Sequence, residues 1–467
     1  MFFSNSFLYH CGKRFFASFC IVLLLSPIPF FAQSAQENTK ERKGILRLED
    51  ALQLALEQNF SVRLAKNLQN AAENNNAGLR GFGAAGMLPN VNLNATWNES
   101  LDNAEQRFLT DTTGERILRR NGARTDRYNA TVQLDWTLFN GLRMFAIKER
   151  LGEQEQRTAI LTRQAMENAV AQVMAGYFTI VEQETLLKAQ RTALTLSQER
   201  LRIVETKNRV GGASELDVQN ALVDVNADSA AFMRQEAQVL NSKVALMQVL
   251  GNTTQFPPSA MQIQDSIVVK MASSLEELES RVKAHNSLLL ASVIDQRIAA
   301  LALKEAESFH YPTLTALVNY NFAGTESQVG IFAYNRTNGI NFGVAGQVNI
   351  FNGFNIERQI QNAKIDQISA ELQYGDIHNR ITAQLHQTFR NFQNSMALIG
   401  LERDNVRLAR SASSIALERF RLGGLSSLDL RQVQQNYLRA ESRLITALAD
   451  AKRAEIELMR LSGELVR

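Results

Sequence analysis

Polar and apolar positions alternate in four short stretches of this chain and follow a helical spacing in two very long ones. In Asn90–Ser100, Val91, Leu93, Ala95 and Trp97 face one way and Asn92, Asn94, Thr96 and Asn98 the other. In Tyr128–Phe139 the even positions, Tyr128 to Leu138, are apolar or aromatic and include Trp136. The odd ones, Asn129 to Thr137, are polar. A third stretch sets Leu314, Ala316, Val318, Tyr320 and Phe322 against Thr313, Thr315, Asn319 and Asn321, with Leu317 as the exception. A fourth sets Ile340, Phe342, Val344, Val348 and Ile350 against Asn341, Gln347 and Asn349. A period of two predicts four β-strands, each with one apolar and one neutral-polar face.

Two proline-free tracts, Gly141–Arg209 and Gly353–Arg421, are rich in Ala, Leu, Gln, Glu and Arg. Leu187, Leu194 and Leu201 recur at heptad spacing in the first, and Ile399, Val406 and Ser413 in the second. At ~1.5 Å per residue each tract predicts a helix on the order of 100 Å long, the length of a coiled coil rather than of a globular core. Each ends in a Gly-Gly motif, RVGGASELD at Arg209–Asp217 and RLGGLSSLD at Arg421–Asp429, after which helix resumes to about Leu250 and Leu461. Shorter helices are expected over about Leu48–Arg80 and from Leu275 to about Ser308. Two short helices stacked end to end can lie antiparallel to one long one. The expected pairings are Ser214–Leu250 with Leu275–Ser308, and Ser426–Leu461 with the N-terminal helix.

The motif spacing reveals a duplication. Phe139-Asn140-Gly141 returns as Phe351-Asn352-Gly353, PNVNLNATWN at Pro89 returns as PTLTALVNYN at Pro312, and Leu48-Glu49 returns as Leu275-Glu276. Each copy reads helix, strand, loop, strand, long helix, turn, helix, with a longer loop expected between Asn98 and Phe139 of the first. The expected organisation is a leader at 1–34, a first repeat at 35–250, a linker at 251–274 and a second repeat at 275–467.

The leader changes how the strands are read. Lys13 and Arg14, the apolar run Phe15–Leu25 and the small residues of Ala32-Gln33-Ser34 have the form of a secretory signal peptide. Both cysteines, Cys11 and Cys20, lie within it, so thiolate chemistry and disulfides are not expected afterwards. Removing Lys13 and Arg14 leaves 48 basic and 47 acidic residues, a balance that points to no nucleic-acid partner. Strands of this pattern form either a half-exposed sheet on a soluble core or an outer-membrane barrel, apolar toward lipid and polar toward a lumen. The leader, the strand length and the aromatic residues near strand ends (Trp97, Trp136, Tyr320 and Phe322) favour the barrel. Four strands are too few to close one, so the chain is expected to oligomerise.

In order and twice over, LEDALQLALEQNFSVRLAKN, LPNVNLNATWN, LFNG and the two Gly-Gly segments resemble the TolC family of outer membrane efflux proteins along the whole mature chain. The resemblance implies a mainly α fold with transmembrane β: a homotrimer with a 12-stranded barrel in outer membrane lipid and a 12-helix tube in the periplasm. It implies the exit duct of a tripartite efflux pump or type I secretion system, served by a periplasmic adaptor and an inner-membrane transporter. The Gly-Gly motifs become the hairpin turns at the periplasmic tip, with Arg209, Gly211, Gly212, Ser214 and Leu216, and Arg421, Gly423, Gly424, Ser426 and Leu428, placed to meet the adaptor. Asp217 and Asp429 match acidic tip positions of the family. A ring of Asp429 would favour cations, whereas the plainer alternative is an ordinary first-turn carboxylate. Positions that close the tip in some members with Tyr, Arg and a second acid are here Phe420, Leu425 and Gln432, so a more apolar aperture is expected.

A periplasmic adaptor is the alternative, but it needs one hairpin and more strands than this chain offers. No catalytic arrangement is legible, and no cofactor or metal is expected. His285, His310, His378 and His386 lack ligand spacing. GFGAAG at Gly81–Gly86 mimics a dinucleotide fingerprint but lies between a helix and a strand in the wrong order, and is expected to ease that transition.

Overall fold

The computed structural model describes residues 46–466 apart from 111–113, 252–258, 260, 264 and 271–272. The expected leader and much of the expected linker lie outside the described residues. The elements run α1 (Leu48–Gln58), α2 (Phe60–Asn76), α3 (Gly78–Ala84), β1 (Asn90–Thr110), β2 (Gly114–Asn140), α4 (Arg143–Arg209) and α5 (Glu215–Leu250). The second half runs α6 (Leu275–His285), α7 (Ser287–Glu307), β3 (Thr313–Ser327), β4 (Tyr334–Gln347), α8 (Asn355–Arg421) and α9 (Ser427–Leu461). Among the described residues no single helix is long and apolar enough to cross a membrane.

The strands form one antiparallel sheet in the order β1-β2-β3-β4, which leaves β1 and β4 as its two edges. The register aligns the alternating faces across all four strands. Leu93, Val132, Tyr320 and Ile340 share one rung of the apolar face, and Asn92, Gln133, Asn319 and Asn341 share one of the polar face. Polar neighbours bond across that face: the Thr131 hydroxyl donates to Asn321 Oδ1 at 2.8 Å. From Leu138 up to Tyr128 the apolar side covers ten residue steps of strand, about 33 Å. A tilt of about 40° shortens this to about 25 Å, the height of a lipid-facing band. Above Tyr128 and Trp97 the same side turns charged, with Glu99, Asp126 and Glu326 on one rung. Trp97 and Phe322 lie near the upper end of the band. Trp136 lies at the lower end, where its indole donates to the Met87 carbonyl at 2.9 Å. Tyr320, expected at an interface, lies inside the band, a rung below Phe322.

The expected long loop between Asn98 and Phe139 is instead an extension of the β1–β2 hairpin. Its charges obscure the alternation, yet they pair: Glu105 faces Arg119 at 2.9 Å, and Arg124 Nε lies 3.1 Å from Glu99 and 2.9 Å from Asp126. Strand β4 ends at Gln347, so Val348 and Ile350 fall outside it.

The step from strand to long helix repeats in both halves. Gly141 and Gly353 have φ of 69° and 65°, and Leu142 and Phe354 follow at 66° and 61°. Two consecutive left-handed residues turn the chain sharply, although the conformation costs a residue with a side chain about 1–2 kcal/mol. The preceding asparagines help hold it: Asn140 Oδ1 accepts from the Met144 amide and Asn352 Oδ1 from the Asn355 amide, both at 3.1 Å. Helices α4 and α8 then each run for 67 residues, as their composition predicts.

The short helices stack, but not in the expected pairs. At the junction of α1 and α2, Asn59 Oδ1 accepts from the Ser61 and Val62 amides, capping α2, while its Nδ2 donates to the Val249 carbonyl at 2.7 Å. At the junction of α6 and α7, Asn286 Oδ1 likewise caps α7 through the Leu288 and Leu289 amides, and Nδ2 donates to the Leu461 carbonyl at 3.0 Å. One side chain thus satisfies the amides that open one helix and a carbonyl that closes another. The closeness requires glycine: a Cβ on Gly251 would stand 2.6 Å from the Gln58 carbonyl oxygen, and one on Gly463 2.7 Å from that of His285. So α5 continues into α2 and α9 into α7, each within its own repeat. The head-to-tail contact also sets a negative helix end against a positive one.

Two related cores surround these junctions. One gathers Ala51, Ala55, Tyr177, Ile180, Leu246, Leu250 and Ile456, and the other Leu278, Val282, Leu289, Leu385, Phe392 and Leu461. Gly81 belongs to the helix-to-strand transition, as expected of GFGAAG. A Cβ there would meet the Asn76 carbonyl oxygen at 2.3 Å, and Gly86 then turns the chain at φ 77°.

Candidate functional site

The end of the molecule farthest along the helices from the sheet is made by the two Gly-Gly turns. In the first, Gly211 takes φ 69° and the Gly212 amide bonds back to the Lys207 carbonyl at 2.7 Å. In the second, Gly423 takes φ 84° and the Gly424 amide bonds back to Arg419 at 2.9 Å. This is a Schellman helix stop, and only the first glycine of each pair needs the left-handed conformation. Ser214 and Ser426 then cap the returning helices, accepting from the amides of Asp217 and Asp429 at 3.2 and 3.1 Å.

Both aspartates fold back onto these caps. Asp217 Oδ2 accepts from the Ser214 hydroxyl at 2.7 Å and from its amide at 2.9 Å, completing a capping box. These two bonds, the hydroxyl's first, hold the Asp217 carboxyl below the usual carboxylate range. Asp429 Oδ2 accepts from the Ser426 hydroxyl at 2.6 Å. The first-turn role therefore holds for both, and Asp429 remains exposed while engaged in it.

The other aperture candidates divide. Gln432 is exposed and donates to Asn436 at 3.0 Å. Phe420 is a correction. It is 3% exposed, packed with Val204, Ala221, Ala416 and Leu430 in a core between the two hairpins, so it cannot line an opening. The Lys207 ammonium sits 4.2 Å from its ring centroid. Leu425 leans half-buried on the same core. The apolar residues exposed at the tip are Leu216 and Leu428, as expected, together with Val210 and Leu422. Sequence reasoning passed over the last two, although they precede the glycines at the same repeat spacing. Arg209 leans on Thr206, and Arg421 bridges the hairpins, 2.8 Å from Glu418 and 3.3 Å from Glu199.

Behind the tip lies a polar cluster absent from the sequence reading. Arg431 on α9 makes a two-pronged bond to Asp228 on α5, at 2.6 and 2.8 Å, and also reaches Ser197 on α4 at 3.0 Å. Ser197 donates to Asp228, and Arg200 bonds Asp224 at 2.5 Å. Ser197, Arg200 and Asp228 are buried. The bond to Asp228 pushes the Arg431 pKa up despite burial. The cluster ties both helices of the first hairpin to the returning helix of the second. Its only sequence signal is that Asp224 and Asp228, and Ser197 and Arg200, lie a turn apart on one helix face.

The family model described as "Outer membrane efflux protein" matches residues 51–252 and 278–464. The chain belongs to the outer membrane efflux protein family. Outer membrane efflux protein BepC of Brucella suis biovar 1 is 21% identical over 389 residues, covering 79% of this chain and 80% of the relative. Among solved structures, the Campylobacter jejuni CmeC outer membrane channel is similar with a TM-score of 0.75 at 15% identity, over 90% of this chain and 86% of that one. VceC of Vibrio cholerae is similar with a TM-score of 0.72 at 17% identity, over 89% and 96%. The fold is that of TolC-like channels. This outer membrane efflux protein resides in the outer membrane, sheet in lipid and helices in the periplasm, and serves as the exit duct of an efflux system. The periplasmic-adaptor alternative falls away with that assignment, and the family is one of channels rather than enzymes. Among the described residues no cluster of His, Cys, Asp or Glu could hold a metal ion.

Proposed function

We propose that three copies close edge to edge, β4 of one on β1 of the next, into a 12-stranded barrel continued by a 12-helix tube that passes cargo from a periplasmic adaptor and an inner-membrane transporter to the exterior. The observation that carries this reading is the pair of open sheet edges beside an apolar face of membrane height. In lipid, unpaired edge amides and carbonyls each cost several kcal/mol, so the sheet must find partner strands. The exposed Val210, Leu216, Leu422 and Leu428 give each hairpin tip an equivalent apolar contact for the adaptor. Asp429, exposed near the tip, would form the ring that favours cations.

Single-channel recording tests this. The wild-type protein is expected to give discrete conductance steps that divalent cations block from the periplasmic side, and Asp429→Ala to weaken the block. Block unchanged in the variant would leave Asp429 as a helix cap alone. Folded protein that never inserts would refute the barrel.

A further inference from the structure

The loop between β3 and β4 turns onto the polar face of the sheet, the lumenal face in the duct reading, and carries two large apolar side chains. The Ser327 side chain lies on that face, its hydroxyl 3.0 Å from that of Thr125. The same hydroxyl donates to the Val329 carbonyl at 2.7 Å and accepts from the Val329 amide at 3.2 Å, so the chain curls over this side as it leaves β3. Arg120 secures it. A register shift at Gly122 (φ 65°) puts Arg120 opposite Ala104 on the polar side, and its guanidinium donates to the Gln328 carbonyl at 2.9 Å. The Ser327 amide donates to the Ala333 carbonyl at 3.0 Å and closes the loop. Ala123 and Thr125 on the polar side are consequently covered, at 0% and 5% exposure.

The tip of this loop is Ile331 and Phe332, 80% and 69% exposed. Lipid is not their partner. The loop stands above the Trp97–Tyr128 rung, where the outward side of the sheet is charged by Glu99, Asp126 and Glu326. Leu101, also exposed at that height and in register with Arg124, lies on the outward side, so among the described residues the exposed apolar partners on the lumenal side are the same residues of other copies around a common axis. We infer that the Ile331–Phe332 loops of three copies converge inside the outer mouth as an apolar constriction, a second narrowing that resists ions and polar solutes until cargo displaces it. The inference rests on the trimeric duct reading. An apolar neck in a water-filled channel holds back ions by dewetting, without any charged gate.

The test uses purified full-length trimers. No cysteine follows Cys20, so Phe332→Cys introduces a lone thiol into the mature chain. A short bifunctional maleimide is expected to join Phe332→Cys chains into covalent dimers within the trimer, while Val318→Cys, on the lipid-facing band, stays unlinked. In planar bilayers, Ile331→Ser with Phe332→Ser is expected to raise open-channel current by about twofold or more, since a polar neck stays wet. Absence of cross-linked dimers, or labelling of Phe332→Cys by a lipid-dissolved maleimide, would overturn the convergence. Cross-linking with unchanged current in the double variant would overturn the constriction. Wild-type protein that is not trimeric would instead refute the duct reading beneath both.

Discussion

Arg431→Ala is expected to destabilise the helical half of the protein by about 3–5 kcal/mol, the usual effect of removing one partner from a buried ion pair. Arg431 and Asp228 have 13% and 10% of their side chains exposed, so water cannot readily take the place of the missing guanidinium. Among the described residues Asp228 would keep only its Ser197 bond, and the helices of the two hairpins would lose one of the contacts that cross between them. The lowered midpoint of a urea titration followed by helical circular dichroism checks this. Replacing both partners, Arg431→Met with Asp228→Leu, is expected to recover most of the loss, because no unpaired charge then remains buried. A single variant as stable as the wild type would mean that water or a neighbouring group already solvates Asp228.

Asn286→Ala is the second large effect. It removes the cap of α7, about 1–2 kcal/mol, and leaves the Leu461 carbonyl without its donor, about 1 kcal/mol more. Asn59→Ala is expected to act in the same way on α2 and Val249. Asn286→Asp should separate the two roles. A carboxylate still caps α7, and better at a positive helix end, but it repels the Leu461 carbonyl. Hydrogen exchange at the first amides of α7 and the last of α9 reads them independently. Protection lost at neither end would mean that the junction is held by core packing alone.

The parts of the fold legible in the sequence are those fixed by local chemistry. The period of two in β1 to β4, the proline-free length of α4 and α8, and the Gly-Gly stops each depend on residues adjacent in the chain. What stayed hidden depends on choices between distant partners. Both pairings of the short helices fit the lengths equally well, and the decision lies in Asn59, Asn286, Gly251 and Gly463, which read as ordinary loop residues. The outer part of the β1–β2 hairpin reads as a loop because Glu105, Arg119 and Arg124 break the apolar alternation, and only their cross-strand pairing reveals the ladder.

The candidate site shows the same division. Asp217 and Asp429 could be placed in first turns from spacing alone. Phe420 could not be assigned to the core rather than the aperture, because a tip this narrow offers both within one helical turn. Arg431, Asp224 and Asp228 have the composition of a solvated surface, and burial by a third helix makes them a cluster. The period of two and the leader already point to the outer membrane, and the family match adds efflux, which neither period nor spacing contains.

The central claim is that a four-stranded sheet with two open edges is completed by two further copies. The most direct test is the mass of the folded protein, released from outer membranes in mild detergent and measured by native mass spectrometry. Three chains per particle is the predicted result. A stable monomer, or an even number of chains closing 8 or 16 strands, would contradict it.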